Sequence, residues 1–250
     1  MVVEKNMEKN KNYNKKLKKY FNLWSKIYQN KIDRLFNSFS YLKWALKQIC
    51  THLSIKKDSK VLELGCGGGN FLEKINAYFK GKGYYIGLDI SKEQIKLARE
   101  KIQKDNIKFI QGNMIDLPFK NDSIDYIVSC SSLHHVANKK KLFCELHRVL
   151  KNNGKLVYCD FFLENNSEKY TKKVKKVRDK SKWSKKFSGD IQRAYNLMPE
   201  FLKKMHPTDY YIDPYKTKKI LLLNGFKKCE IILSPDTRFA GISAQKLLNI

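Results

Sequence analysis

The sequence predicts an α/β protein with a doubly wound sheet, and three observations predict it. Val61, Leu62 and Leu64 read as a buried strand that runs directly into a glycine-rich turn at 65–69. An amphipathic helix pattern then opens at Phe71, Leu72, Ile75 and Phe79. Strand-like and helix-like segments keep alternating as far as Asp160, the pattern of a parallel sheet covered by helices on both faces.

The turn Gly65-Cys66-Gly67-Gly68-Gly69 carries four glycines in five positions. Glycine permits positive φ and leaves room for a ligand, and the next helix aims free N–H groups at the turn. The dinucleotide fingerprint needs a glycine where Asn70 stands. A P-loop needs a Gly-Lys-Ser/Thr ending that is missing. What remains is G-x-G-x-G with an acid, Glu63, two residues before it.

A second strand, Tyr84–Ile90, contains Asp89, twenty residues after Gly69. A carboxylate at that tip can accept hydrogen bonds from both ribose hydroxyls; capping the next helix is the alternative. Ser91 followed by Gln94 predicts a helix start. A third strand, Ile107–Gln111, leads to Gly112-Asn113-Met114. A fourth, Ile124–Cys130, leads to Ser131-Ser132-Leu133-His134-His135. The helix holding Leu142, Leu146, Val149 and Leu150 ends at Lys151-Asn152-Asn153-Gly154, where Asn tolerates the left-handed conformation. A fifth strand spans Lys155–Asp160. Leu221–Ile232 reads as a helix, a glycine stop at Gly225 and a further strand.

These motifs, in this order, resemble the class I S-adenosylmethionine (SAM)-dependent methyltransferases, nearest the ubiquinone/menaquinone-biosynthesis-like (type 11) subgroup. The likeness is close over residues 55–162 and looser toward the C terminus. It implies a Rossmann-like, seven-stranded sheet, mostly parallel with the last strand antiparallel. It also implies an N-terminal helical lid and a helical insertion after the fifth strand. The cofactor would be SAM, leaving as S-adenosylhomocysteine. Its contacts would come from Glu63, Gly65, Cys66, Gly67, Asp89, Ile90, Asn113, Met114, Cys130, Ser131 and the lid residue Tyr20. Asn113 stands where the family usually has Asp, and its amide oxygen still accepts from an adenine amino group. Asn152-Asn153 replaces the family's usual Pro-Gly.

The expected organisation is a flexible basic arm at 1–16, a helical lid at 17–55 and a SAM-binding core at 56–162. A substrate-cap insertion at 163–212 and a C-terminal helix with the last strands at 213–250 complete it. Tyr20, Trp24 and Tyr28 share one helical face, as a lid over the cofactor or as a core stripe. His134, His135 and Tyr28 are the candidate catalytic residues, with Asp160 also near the expected site. A histidine pair there serves as a base or as part of the cofactor's surroundings. Aromatic and Met content in the insertion suits an apolar or planar small-molecule acceptor.

The net charge of +27 raises an alternative, an RNA methyltransferase with a basic surface. Only six of the 51 basic residues are arginine, the usual reader of phosphates and bases. The abundance of Lys, Asn, Ile and Tyr also fits compositional drift. A non-catalytic SAM-binding scaffold is the third reading. Six scattered cysteines without a C-x-x-C predict a reduced, cytoplasmic protein with no metal site. No apolar run of 18 residues or secretory leader pattern occurs, so no membrane span is expected.

Overall fold

The computed structural model describes residues 12–26, 40–161, 214–234 and 239–247. Tyr28 and the expected cap at 163–212 lie outside them. Helix α1 covers 12–26 and α2 covers Ser40–His52. Then come β1 (Lys60–Leu64), α3 (Asn70–Tyr78), β2 (Tyr84–Asp89), α4 (Lys92–Lys101), β3 (Ile107–Gln111) and β4 (Ile124–Cys130). A 3-10 turn at Leu133–His135, α5 (Lys139–Val149) and β5 (Leu150–Phe161) follow, then α6 (Pro214–Leu223), β6 (Phe226–Leu233) and β7 (Phe239–Lys246).

The seven strands form one sheet in the order β3-β2-β1-β4-β5-β7-β6. Only β7 runs antiparallel to its neighbours. The order reverses between β1 and β4, and such a switch point opens a crevice at the carboxyl ends of the strands. Two apolar layers sandwich the sheet. Leu62, Leu64, Leu142, Phe143, Leu146 and Leu221 belong to the layer under α5 and α6. Val61, Ile49, Leu72, Ile75, Ile95 and Phe109 belong to the layer under α2, α3 and α4.

Local chemistry sets the element ends. Ser91 Oγ accepts the Gln94 N–H at 3.2 Å and starts α4. Asn138 Oδ1 accepts the Lys141 N–H at 2.9 Å and starts α5. Asn153 takes φ 63°, as the Asn-Asn turn requires. The fifth strand nevertheless begins earlier than expected, at Leu150, because residues 150–154 stay in the ladder through a bulge against Ile124–Tyr126. One expected boundary also moves. Residues 12–16 are already helical, so α1 takes in the end of the supposed flexible arm. Helix α2, within the stretch expected as lid, packs Ala45, Ile49 and Cys50 into the layer against the sheet.

Arg148 ties the long β3–β4 connection to α5. Its guanidinium donates to the carbonyls of Phe119 (2.8 Å) and Leu117 (3.1 Å) and to Asn121 Oδ1 (2.9 Å), and it pairs with Glu145. Among the described residues no helix is long and apolar enough to cross a membrane. Replacing Arg148 by Met strands these acceptors, and chemical denaturation should show a loss of about 2–3 kcal/mol.

Candidate active site

The site forms where β1 ends. Gly65 and Cys66 donate their N–H groups to the Leu88 carbonyl, at 2.8 and 3.1 Å, which folds the turn back over β2. On the other side, Ser129 Oγ and Ser132 Oγ both donate to the Leu64 carbonyl at 2.9 Å, and the two hydroxyls lie 2.6 Å apart.

The glycines do different work. A Cβ on Gly65 (φ 67°) would lie 2.4 Å from Ser132 Cβ. A Cβ on Gly69 (φ 82°) would lie 2.7 Å from the side chains of Ile102 and Phe109. These two glycines admit neighbouring parts of the protein. Gly67 (φ 51°) is different, since its nearest neighbour would be Gln94 Oε1 at 3.7 Å. Of these three, Gly67 is the one that leaves space for a ligand.

Asp89, 9% exposed, accepts the Gly67 N–H through Oδ2 and the Ser91 N–H through Oδ1, each at 2.9 Å. Each oxygen keeps lone-pair capacity for a further donor. Burial pushes this carboxyl above its ordinary range, and the N–H groups of Ser91, Gly67 and Ile90 offset part of the rise. Glu63 is 2% exposed, and its Oε2 has no hydrogen-bond partner among the described residues. Burial holds Glu63 well above the carboxylate range and the Asp89 charge adds to this, against one Leu72 N–H. Cys66 is buried beside both acids, and that burial, with their charges, raises its thiol.

A cleft of about 330 Å³ opens past the ends of β2 and β3; Ile90 lines it, while the 65–69 turn, Glu63 and Asp89 do not. Ile90, Asn113, Met114 and Asp116 form one wall, and His135–Asn138 with Lys141 form another. Asn113 Oδ1 accepts the Ile115 N–H at 3.2 Å, which fixes its side chain at the wall. The roof is α1, through Tyr13, Asn14 and Leu17. These three escaped the sequence reading because they lie in a Lys/Asn-rich stretch. Their signal is the spacing Tyr13–Leu17–Tyr20–Trp24, a helical face begun one turn earlier. Tyr20 does not line this cleft; it is 2% exposed and packs edge-on against Phe21 at 5.0 Å. The helix docks through Asn22 Oδ1, which accepts from Ser91 Oγ at 2.6 Å, and through Phe21, 5.1 Å from the His135 ring.

The two histidines separate. His135 faces the cleft. His134 is buried, with Nδ1 2.5 Å from Asp160 Oδ1, while Asp160 Oδ2 accepts the His134 backbone N–H at 3.0 Å. Burial raises the Asp160 carboxyl, but the His134 imidazole, Lys139 and the Phe161 N–H outweigh it and hold Asp160 below its ordinary range. Lys139 Nζ also donates to the Leu133 carbonyl at 2.5 Å. The Leu133–His135 turn is thus clamped from β5 and α5. Cys130 and Ser131 close β4, with Ser131 at φ 56°, an uncommon conformation that turns the chain toward this clamp.

The donor set fits SAM: an open glycine, a buried acid with an orphaned oxygen, a second acid at the tip of β2, and an amide beside Met114. The profile of the methyltransferase-domain family matches residues 55–206, and the chain belongs to this family of SAM-dependent methyltransferase domains. The demethylmenaquinone methyltransferase of Staphylococcus epidermidis is 31% identical over 137 residues, 52% of this chain and 57% of that protein. The ubiquinone/menaquinone biosynthesis C-methyltransferase of Wigglesworthia glossinidia brevipalpis is 29% identical over 147 residues, 52% of this chain and 59% of that one. The chain therefore spans little more than half the length of these relatives. In fold it resembles the methyltransferase bound to the Trm112 activator of Haloferax volcanii, with a TM-score of 0.67 and 16% identity over 91% of this chain and 98% of that one. A SAM-dependent methyltransferase from Aquifex aeolicus gives a TM-score of 0.56 and 17% identity over 81% and 89%. Among the described residues no group of three or more His, Cys, Asp or Glu side chains is arranged to hold a metal.

Two glycine variants separate packing from binding. Gly65→Ala should lose about 3 kcal/mol or more, since both the positive φ and the Ser132 contact oppose it. Gly67→Ala should lose about 1–2 kcal/mol from its backbone conformation and yet weaken SAM strongly. Thermal melts beside SAM titrations read the two effects. Asp160→Asn weakens the buried hydrogen-bonded cluster around His134, and denaturant unfolding near pH 7 should show a loss of about 2–3 kcal/mol. Because the folded Asp160 is held below its ordinary value, the stability it contributes is present above that ordinary value. It fades as pH falls through the lowered one, so the gap between wild type and variant should close in acid.

Proposed function

We propose that this chain transfers a methyl group from SAM to a small, planar, largely apolar acceptor of the quinol type. The observation that carries the reading is the cleft itself. Ile90, Asn113 and Met114 form its wall under the roof of α1, and Asp89, with the open space at Gly67, immediately precedes Ile90 at the end of β2.

In this reading Asp89 accepts from the ribose hydroxyls, Asn113 accepts from the adenine amino group, and Met114 and Ile90 pack on the base. Glu63, Gly65, Cys66, Gly67, Cys130 and Ser131 surround the methionine end. Tyr20 serves the cofactor indirectly, by anchoring the roof. When bound, SAM supplies a methyl group activated by its sulfonium. The protein's part is orientation, which can be worth about 7–11 kcal/mol. An acceptor hydroxyl or ring carbon must also lose a proton, and His135 is the base on the cleft wall. Asp160 acts through His134 and the clamped turn, so it is a positioning residue. The named function of both curated relatives, methylation in quinone biosynthesis, supports this acceptor class. The free thiols at all six cysteines support a cytoplasmic location.

Asp89→Ala should raise the Kd for SAM about 100-fold by calorimetry, for the loss of two charge-assisted hydrogen bonds. His135→Ala should lower kcat on a demethylmenaquinol analogue about 100-fold or more while leaving the Kd for SAM near wild type. Methylation of tRNA with no turnover of the quinol would move the assignment to the basic-surface reading.

A further inference from the structure

Glu63 occupies a position that alternation along β1 assigns to a core side chain. It follows Val61 on the face covered by α2, α3 and α4. It is 2% exposed, and the facing groups are Asp89 from β2, Cys66 from the turn, Cys130 from β4 and the Leu72 N–H of α3. No cation is among those groups. Asp89, the second buried carboxyl, is satisfied by backbone N–H groups, whereas Glu63 Oε2 has no hydrogen-bond partner among the described residues.

Two neighbouring buried carboxyls without a cation do not both ionise, and they titrate as one unit. The group that would settle this pair is a positive charge delivered from outside. We infer that the Glu63–Asp89 pair holds a proton in the empty cradle, chiefly on Glu63, and releases it when a cationic ligand binds. The inference rests on the reading of the cradle as the SAM site, since SAM brings both an ammonium and a sulfonium.

Both carboxyls are raised by burial, as such a shared proton requires. A bound cation lowers the value again. Between the lowered and the raised values, binding expels about one proton. In that window affinity falls as pH falls, toward tenfold per pH unit. A site whose acids are already ionised would show no such slope, its affinity being flat near neutrality.

The test is calorimetric titration of the full chain with SAM near neutral pH, in phosphate and in Tris, whose ionisation enthalpies differ widely. The expected result is an apparent enthalpy that differs by the uptake of about one proton by the buffer. A Kd that rises as the pH is lowered should accompany it. Glu63→Gln, which mimics the protonated acid, should remove the buffer difference and flatten the pH profile. SAM binding with the same enthalpy in both buffers overturns the inference. Absence of SAM binding in either buffer overturns the cofactor assignment itself. The wild-type titrations decide the matter even if Glu63→Gln does not fold.

Discussion

Everything at this site depends on one close approach, that of β4 to the end of β1. The Leu64 carbonyl takes two serine hydroxyls, from Ser129 and Ser132, at 2.9 Å. That is possible only because Gly65 has no Cβ, which would lie 2.4 Å from Ser132. The same junction starts the turn toward β2, so Gly67 reaches Asp89 and the crevice opens on the carboxyl side of the sheet. The Ser132 end of the junction leads straight into the clamped Leu133–His135 turn. A single backbone contact therefore positions both the glycine turn and the Leu133–His135 turn.

The arrangement joins a buried clamp to a docked helix. Asp160, Lys139 and His134 form a buried hydrogen-bonded cluster that fixes a short turn of the chain. The roof docks from the other side. Helix α1 meets the core through the Asn22–Ser91 hydrogen bond, the Phe21–His135 contact and the exposed pair Lys26–Glu93 at 4.0 Å. Surface pairs of that kind contribute little, about 0–1 kcal/mol.

Much of this was legible in the sequence, for identifiable reasons. Strands β2, β3 and β4 carry β-branched and aromatic runs bounded by turn residues; β3 and β4 match the reading at 107–111 and 124–130, and β2 ends at Asp89, one residue before the expected Ile90. Strand β7, Phe239–Lys246, did not stand out, because Ala, Gly, Ser and Gln have little strand preference of their own. Its small residues are a packing requirement: a Cβ at Gly241 would press on Cys159 Sγ at 3.2 Å and Ile232 at 3.3 Å. The glycine motif identified the cofactor class, but only the packing shows that Gly65 and Gly69 admit neighbouring side chains while Gly67 faces open space. The roles of the two histidines were equally hidden. Adjacent in sequence, they diverge because a 3-10 turn points one at Asp160 and the other into the cleft.

The central claim is that this cleft, roofed by α1, is where SAM binds. A crystal structure with S-adenosylhomocysteine tests it most directly. The account predicts adenosine between Met114, Ile90 and the Tyr13–Leu17 face of α1, with both ribose hydroxyls on Asp89 and the sulfur directed toward His135. Density for the nucleoside elsewhere, or a ribose that makes no contact with Asp89, would contradict it.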